Sequence, residues 1–261
     1  MKHDLNVVLI LVLLFLAAQI IGLVIVKNYL KELLPYGIQR PELKEETSFI
    51  PIFLMIVFAT IIAIIMSHFS AIRLWKLWFF LSVAFTLLIA FSTFISELMA
   101  LTLAIIFAAL KVAKPNVIIH NFTELFIYGG LAAIFVPILN IMSILILLII
   151  ISIYDMIAVW KTKHMIKLAK FQSKLKIFAG LLIPYGKNKM AILGGGDIGF
   201  PLLFSGTILK VYGFTDALIT SLFASLALFT LLVFASKKKF YPAMPFISIG
   251  CFVGYLLVIL F

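Results

Sequence analysis

Carboxylates are scarce in this sequence. Asp and Glu together number 10 among 261 residues, charged residues of both signs make up 12%, and 65% of the chain is hydrophobic. That balance excludes an ordinary soluble domain, in which about a quarter of residues carry charge. Cysteine is scarcer still: Cys251 is the one thiol, so no intramolecular disulfide can form, and it reads as a small packing residue in the last apolar run. The four histidines, His3, His68, His120 and His164, are not expected deep within a span. With no H-E-x-x-H there is no zinc ligand set, and no buried histidine stands ready to activate a serine.

What the sequence has in abundance is apolar runs long enough to cross a hydrocarbon core, which takes about 20 helical residues. Nine helices are expected, over 5–26, 49–67, 77–95, 98–112, 125–139, 141–160, 190–209, 215–235 and 244–261. The fifth and sixth come from one tract split at Pro137 and Asn140, because about 36 residues would make a helix of about 54 Å. Left unsplit, the count is eight. The opening segment resembles a signal peptide, but its apolar part is about twice the usual length and reads as a retained first span. The fold class is all-α: one multi-pass transmembrane domain over residues 1–261, with no room for a soluble domain between spans.

The net charge of +11 comes from lysines in the short loops, which is the positive-inside bias rather than a nucleic-acid footprint. With nine spans, sixteen Lys and Arg fall on the side of the amino terminus and five on the other. The amino terminus is therefore expected in the cytoplasm and the carboxy terminus outside. Eight of the sixteen lie in a basic cytoplasmic loop over 161–189. Its stretch "KTKHMIKLAKFQSKLKIF" reads equally as a surface amphipathic helix or a solvated loop. Trp75, Trp78 and Trp160, beside Arg73, Lys76 and Lys161, read as interfacial anchors. The partners implied are a cell-membrane bilayer and not nucleic acid; a homo-oligomer stays open.

Eight of the ten acids, Glu124 among them, are expected in loops or near span ends. Asp155, in "IIISIYDMIAVW", and Asp197, in "MAILGGGDIGFPLLF", are the exceptions. A carboxylate inside a bilayer costs about 3 kcal/mol on insertion scales, so each marks a functional site by default. Asp155 precedes Lys161 by six residues, about 9 Å of helix, and Asp197 follows Lys189 by eight, about 12 Å. Antiparallel neighbours would bring the two to one level, nearer the cytoplasm. Two carboxylates in contact in a low dielectric share a proton, the state that aspartyl hydrolysis uses. An inert pair bonded to Tyr154, Ser152 or backbone, and a proton relay in a transporter or channel, use the same residues. Against a transporter stands the lack of a hydropathy pattern repeated in two halves.

Gly194, Gly195, Gly196 and Gly199 leave the backbone around Asp197 bare, giving room for another chain or a water. Pro201 cannot donate to the carbonyl of Asp197, so the helix is loosened there. Close packing of Gly195 and Gly199 against a neighbouring helix is compatible with both. Past Lys237–Lys239, "YPAMP" places Pro242 and Pro245 one to two turns inside, near the depth of the aspartates. Such irregular backbone fits an extended substrate strand pairing beside it, or simply a kinked helix start.

Tyr154-Asp155, the Gly-x-Gly-Asp of Gly194 to Asp197, and Pro242-Ala243-Met244 in place of Pro-Ala-Leu occur in this order on helices six, seven and nine. Together they resemble the presenilin and signal peptide peptidase family of intramembrane aspartyl proteases. Prepilin peptidases share a Gly-x-Gly-Asp carboxylate but not the other two motifs. The resemblance implies a cofactor-free, metal-free endopeptidase that cuts transmembrane helices of substrate membrane proteins. It implies Asp155 and Asp197 as the catalytic pair, with Tyr154, Gly194, Gly195, Gly196, Pro242, Ala243 and Met244 at the substrate. Leu to Met nearly conserves volume, so altered fit rather than lost activity is expected at Met244. The small size looks like a microbial homologue. The expected orientation resembles presenilins and opposes signal peptide peptidases, and the short 161–189 loop sets self-cleavage there in doubt.

Overall fold

The computed structural model describes residues 4–69, 71–162, 177–186, 189–235 and 241–260. Among them are nine α-helices and one β-hairpin. The helices are α1 Leu5–Tyr29, α2 Phe49–His68, α3 Ile72–Ser92, α4 Glu97–Ala113, α5 Val117–Phe135, α6 Ile141–Met156, α7 Gly195–Val211, α8 Phe214–Phe234 and α9 Met244–Leu260. The strands β1 Gly180–Tyr185 and β2 Lys189–Gly194 form the antiparallel hairpin between α6 and α7. Six of the helices, α1, α2, α3, α5, α6 and α8, are long and apolar enough to cross a membrane once the short extensions of α5 and α6 are included; α9 is apolar but shorter.

The split at Pro137 and Asn140 is where the chain turns. Proline cannot continue the helical bonding, so α5 ends at Phe135 and Val136–Ile138 tightens into a 3-10 turn. Asn140 then caps α6, its side chain accepting the Ser143 N–H at 2.8 Å.

Three helices differ most from expectation. α3 runs over 72–92 rather than 77–95. α5 begins at Val117 rather than 125, with Asn116 as its cap accepting the Ile118 N–H at 2.8 Å. Its first turns carry His120, Asn121, Thr123 and Glu124, which look like loop residues until their partners are seen. Glu124 and His120 are buried, as is Lys111 at the end of α4, so none belongs to a solvated loop. Finally, α7 begins at Gly195 rather than 190, because residues 189–194 are β2.

Ala191 and Leu193 of β2 are buried while Met190 and Ile192 are exposed, a period of two. Both faces carry apolar side chains, so hydropathy does not alternate and the strand reads as the start of a helix.

α1 packs against α5, α7 and α8; α8 packs against α9, and α3 against α4 and α5. α9 lies close on α8 through two glycines four apart. A Cβ at Gly250 would stand 2.6 Å from the Phe223 carbonyl oxygen, and one at Gly254 2.8 Å from the Thr220 Cα. α2 buries only Ile52, Ala63 and Met66. Cys251 is buried in α9. Trp78 and Trp160 are exposed, as anchors should be, but Trp75 is buried with Ala63, Met66 and Ile177 and packs rather than anchors. The Lys-rich stretch lies mostly outside the described residues; Ile177 and Phe178 at its end are buried.

Candidate active site

The hairpin builds one side of the site. Gly180 pairs with Gly194 and Leu182 with Ile192. The backbone of both β1 residues turns away from β2 toward α5. The Gly180 N–H donates to Glu124 Oε2 at 2.9 Å, and its carbonyl pairs with His120 Nε2 at 2.7 Å. The Leu182 N–H donates to Asn121 Oδ1 at 3.0 Å, and Asn121 Nδ2 returns a bond to the Leu182 carbonyl at 2.7 Å. Side chains of α5 thus take the place of a third strand on β1. By antiparallel alternation, the opposite residues Ile192 and Gly194 turn their N–H and C=O groups outward on the far edge of β2. Among the described residues that edge pairs with no strand.

β2 passes directly into α7. Gly194 is the N-cap, and the Gly195 N–H donates to the Ala179 carbonyl at 3.0 Å. Asp197 is therefore the third helical residue, from which a carboxylate reaches back to the N-cap amide, here that of Gly194.

The glycines around it are not equivalent. A Cβ at Gly194 would lie 3.1 Å from Asp197 Oδ2, and one at Gly195 2.8 Å from the Tyr128 hydroxyl. At Gly196 the nearest atom would be Phe200 Cε2 at 3.4 Å. Gly199 faces the Tyr128 ring at ordinary contact distance, so the Gly195–Gly199 stripe packs against α5.

Asp155 lies in the last turn of α6, just before a π-helical turn over Ile157–Lys161. Its Oδ2 accepts the Met244 N–H at 3.2 Å. Met244 is the first residue of α9, where backbone donors lack helical partners, so the carboxylate serves the helix start as a cap would. Pro245 follows in the first turn, a position that requires no N–H. The irregular backbone expected over "YPAMP" is thus confined to Tyr241–Ala243, with Pro242 buried.

Asp155 and Asp197 line one cavity of ≈ 540 Å³, together with Tyr154, Gly194, Gly195, Gly196 and Met244. Pro242 and Ala243 are not in its wall. That both line one cavity agrees with the depth comparison, although its ruler was wrong on one side: residues 189–194 are extended, not helical. The Tyr154 ring meets Phe53 of α2 edge-on, with centroids 6.4 Å apart. Among the described residues no cluster of His, Cys, Asp and Glu could hold a metal ion.

Sequence reading missed four neighbours of the site. Gln19, fully buried on α1, donates from Nε2 to the Ile198 carbonyl at 2.9 Å, next to the backbone that Pro201 loosens. Lys111, Glu124 and Tyr128 form a buried cluster, in which Glu124 and Tyr128 are one turn apart on α5 and Lys111 comes from α4, thirteen residues before Glu124. The only signal for any of them is a polar side chain in an apolar region.

Residues 12–261 match the sequence profile described as signal-peptide peptidase, presenilin aspartyl protease. Among solved structures, the fold is similar to a presenilin family intramembrane aspartate protease seen in two crystal forms. In the C222 form the TM-score is 0.69 at 20% identity, covering 97% of this chain and 98% of that one. In the P2 form it is 0.67 at 19% identity, covering 96% of each. No curated protein matches the sequence. These structural likenesses establish the fold, and the profile runs through Asp155, Asp197 and Met244 over nearly the whole chain: the protein belongs to the signal-peptide peptidase and presenilin family of intramembrane aspartyl proteases.

Proposed function

We propose that Asp155 and Asp197 form a catalytic dyad that hydrolyses peptide bonds within transmembrane segments of other membrane proteins. The observation that carries this reading is that both carboxylates line one cavity, Asp155 from the last turn of α6 where it accepts the first amide of α9, and Asp197 from the first turn of α7. Two such groups hold one proton between them. The ionised carboxylate takes a proton from a bound water as its oxygen attacks the scissile carbonyl carbon, while the protonated one donates to the carbonyl oxygen. Collapse of the tetrahedral diol breaks the C–N bond as the amine takes up a proton, and the dyad regains the state in which one proton is shared.

A helical substrate hides its carbonyls in its own hydrogen bonds, so it must unwind before attack. The outward edge of β2 offers an unwound segment the backbone N–H and C=O of Ile192, five residues before Asp197, while the Gly194 amide is held by Asp197 itself. Gly194 to Gly196 leave the floor beneath it bare, and Tyr154 and Met244 shape the wall. Pro242 and Ala243 act from behind the wall by setting where α9 begins, and so where the Met244 amide meets Asp155. The amino terminus lies in the cytoplasm and the carboxy terminus outside, placing the dyad nearer the cytoplasmic face.

The test is purified protein in liposomes with a single-span peptide. Asp155→Asn and Asp197→Asn should each lower cleavage by about 1,000-fold, the scale of a lost general acid or base. Undiminished cleavage by either variant, or solute flux without proteolysis, would overturn the reading.

A further inference from the structure

The dyad is not the only buried charge near the cavity. Lys111 on α4 and Glu124 on α5 form an ion pair at 2.5 Å, with side chains 2% and 1% exposed. Lys111 Nζ also donates to Thr123 Oγ1 at 2.7 Å and to the His120 carbonyl at 3.4 Å. The other Glu124 oxygen accepts from two donors, the Gly180 N–H at 2.9 Å and the Tyr128 hydroxyl. Stability does not account for such a pair, because well-packed apolar side chains of similar volume hold a fold as well or better.

Where its bonds lead does account for it. Gly180 is the β1 residue opposite Gly194, and the preceding carbonyl, Ala179, accepts the Gly195 N–H. The Tyr128 hydroxyl fills the space where a Cβ of Gly195 would be. Each path out of Glu124 therefore ends two or three residues from Asp197, on the backbone that carries it. Glu124 and Tyr128 line the same cavity as the dyad. Tyr128 spends its one donor on Glu124, and three of the acceptor sites of Glu124 are taken by Lys111, Gly180 and Tyr128, so the pair is committed to the scaffold rather than to a reacting group.

We infer that Lys111, Glu124 and Tyr128 are a positioning network that sets the place of Asp197, acting through Gly180 and Gly195. The inference rests on the dyad reading above. The network joins α4, α5, the hairpin root and α7: Lys111 pairs with one Glu124 oxygen while the other takes two donors at once. A neutral glutamine cannot accept both as strongly and leaves Lys111 unpaired.

The deciding variant is Tyr128→Phe, which keeps the ring against Gly199 and removes only the hydroxyl. Cleavage of the single-span peptide in liposomes is measured per folded molecule, with the folded fraction taken from size-exclusion profiles and the cut positions from mass spectrometry. We expect kcat to fall about 10-fold, a cost typical of a sub-ångström misplacement, with KM within about 2-fold and the cut positions redistributed. Glu124→Gln should do the same more strongly. If it fails to fold, the charge-balanced Lys111→Met/Glu124→Gln pair replaces it, with the same kcat loss expected. Wild-type kcat and cut positions in Tyr128→Phe, or a loss that only follows the folded fraction, would overturn the network. Active Asp155→Asn or Asp197→Asn would instead overturn the dyad, so the two failures are distinguishable.

Discussion

The three consecutive glycines before Asp197 look alike in sequence, and the structure gives each a different neighbour. Gly194 needs its bareness because a Cβ would press on the Asp197 carboxylate, and Gly195 because the Tyr128 hydroxyl is already there. Gly196 faces only the edge of the Phe200 ring, which can turn aside. Gly196→Ala should therefore keep activity within about 3-fold, whereas Gly195→Ala should lose at least about 10-fold, the consequence of an overpacking cost of about 1–3 kcal/mol at the backbone of the site. The same geometry predicts coupling. In a Tyr128→Phe background the hydroxyl at 2.8 Å is gone, so adding Gly195→Ala should cost less than it does in the wild type. A double-mutant cycle on kcat measures this, and strict additivity would show that the two residues do not meet in the working enzyme.

At the scale of elements, the helices that hydropathy can see were legible, and so was the break at Pro137 and Asn140, because proline and an N-cap residue act locally. The hairpin was not legible. "KMAILG" is apolar on both faces, so nothing in its pattern separates a strand from a helical turn. What makes it a strand is α5, whose Asn121 supplies the donor and acceptor that a neighbouring strand would. Glu124 was misplaced for a related reason: a carboxylate looks like a loop residue until its lysine, thirteen positions away, is known. That Asp155 and Asp197 share a cavity was foreseeable because each interrupts an apolar run on one side of the same basic segment.

The register makes the role of the hairpin testable. Leu181 pairs with Leu193 and Ile183 with Ala191 within the ladder, whereas the Ile192 amide points to the free edge. Ile192→Pro should remove one outward donor and leave the ladder, raising KM for the single-span peptide about 5-fold or more, in line with a lost hydrogen bond of about 1 kcal/mol. Leu193→Pro should instead break the ladder itself. Amide exchange separates the two: the Leu193 N–H should stay protected in Ile192→Pro. An unchanged KM in that variant would mean that the substrate does not use this edge.

For the whole molecule, the expected orientation rests on loop cations, and two of those counted are paired inside the protein. Lys111 leaves the count of loop cations on the amino-terminal side because it is buried against Glu124. On the other side Lys210 is held by Glu45 at 3.0 Å and by the Pro137 and Leu139 carbonyls, so its charge too is met locally. One cation is lost from each side and the bias stays, carried mainly by the eight Lys between 161 and 189. Orientation matters for the proposed chemistry because water would have to reach Asp155 and Asp197, and both sit close in sequence to that basic segment. Single cysteines in a Cys251→Ala background can decide it, since Cys251 is buried and alanine nearly fills its place. A cysteine replacing Gln172 should react with an impermeant maleimide only after permeabilisation, and one replacing Glu42 should react in intact cells. The reverse pattern would put the dyad's water access on the external side and the basic segment against the direction that positive charge sets.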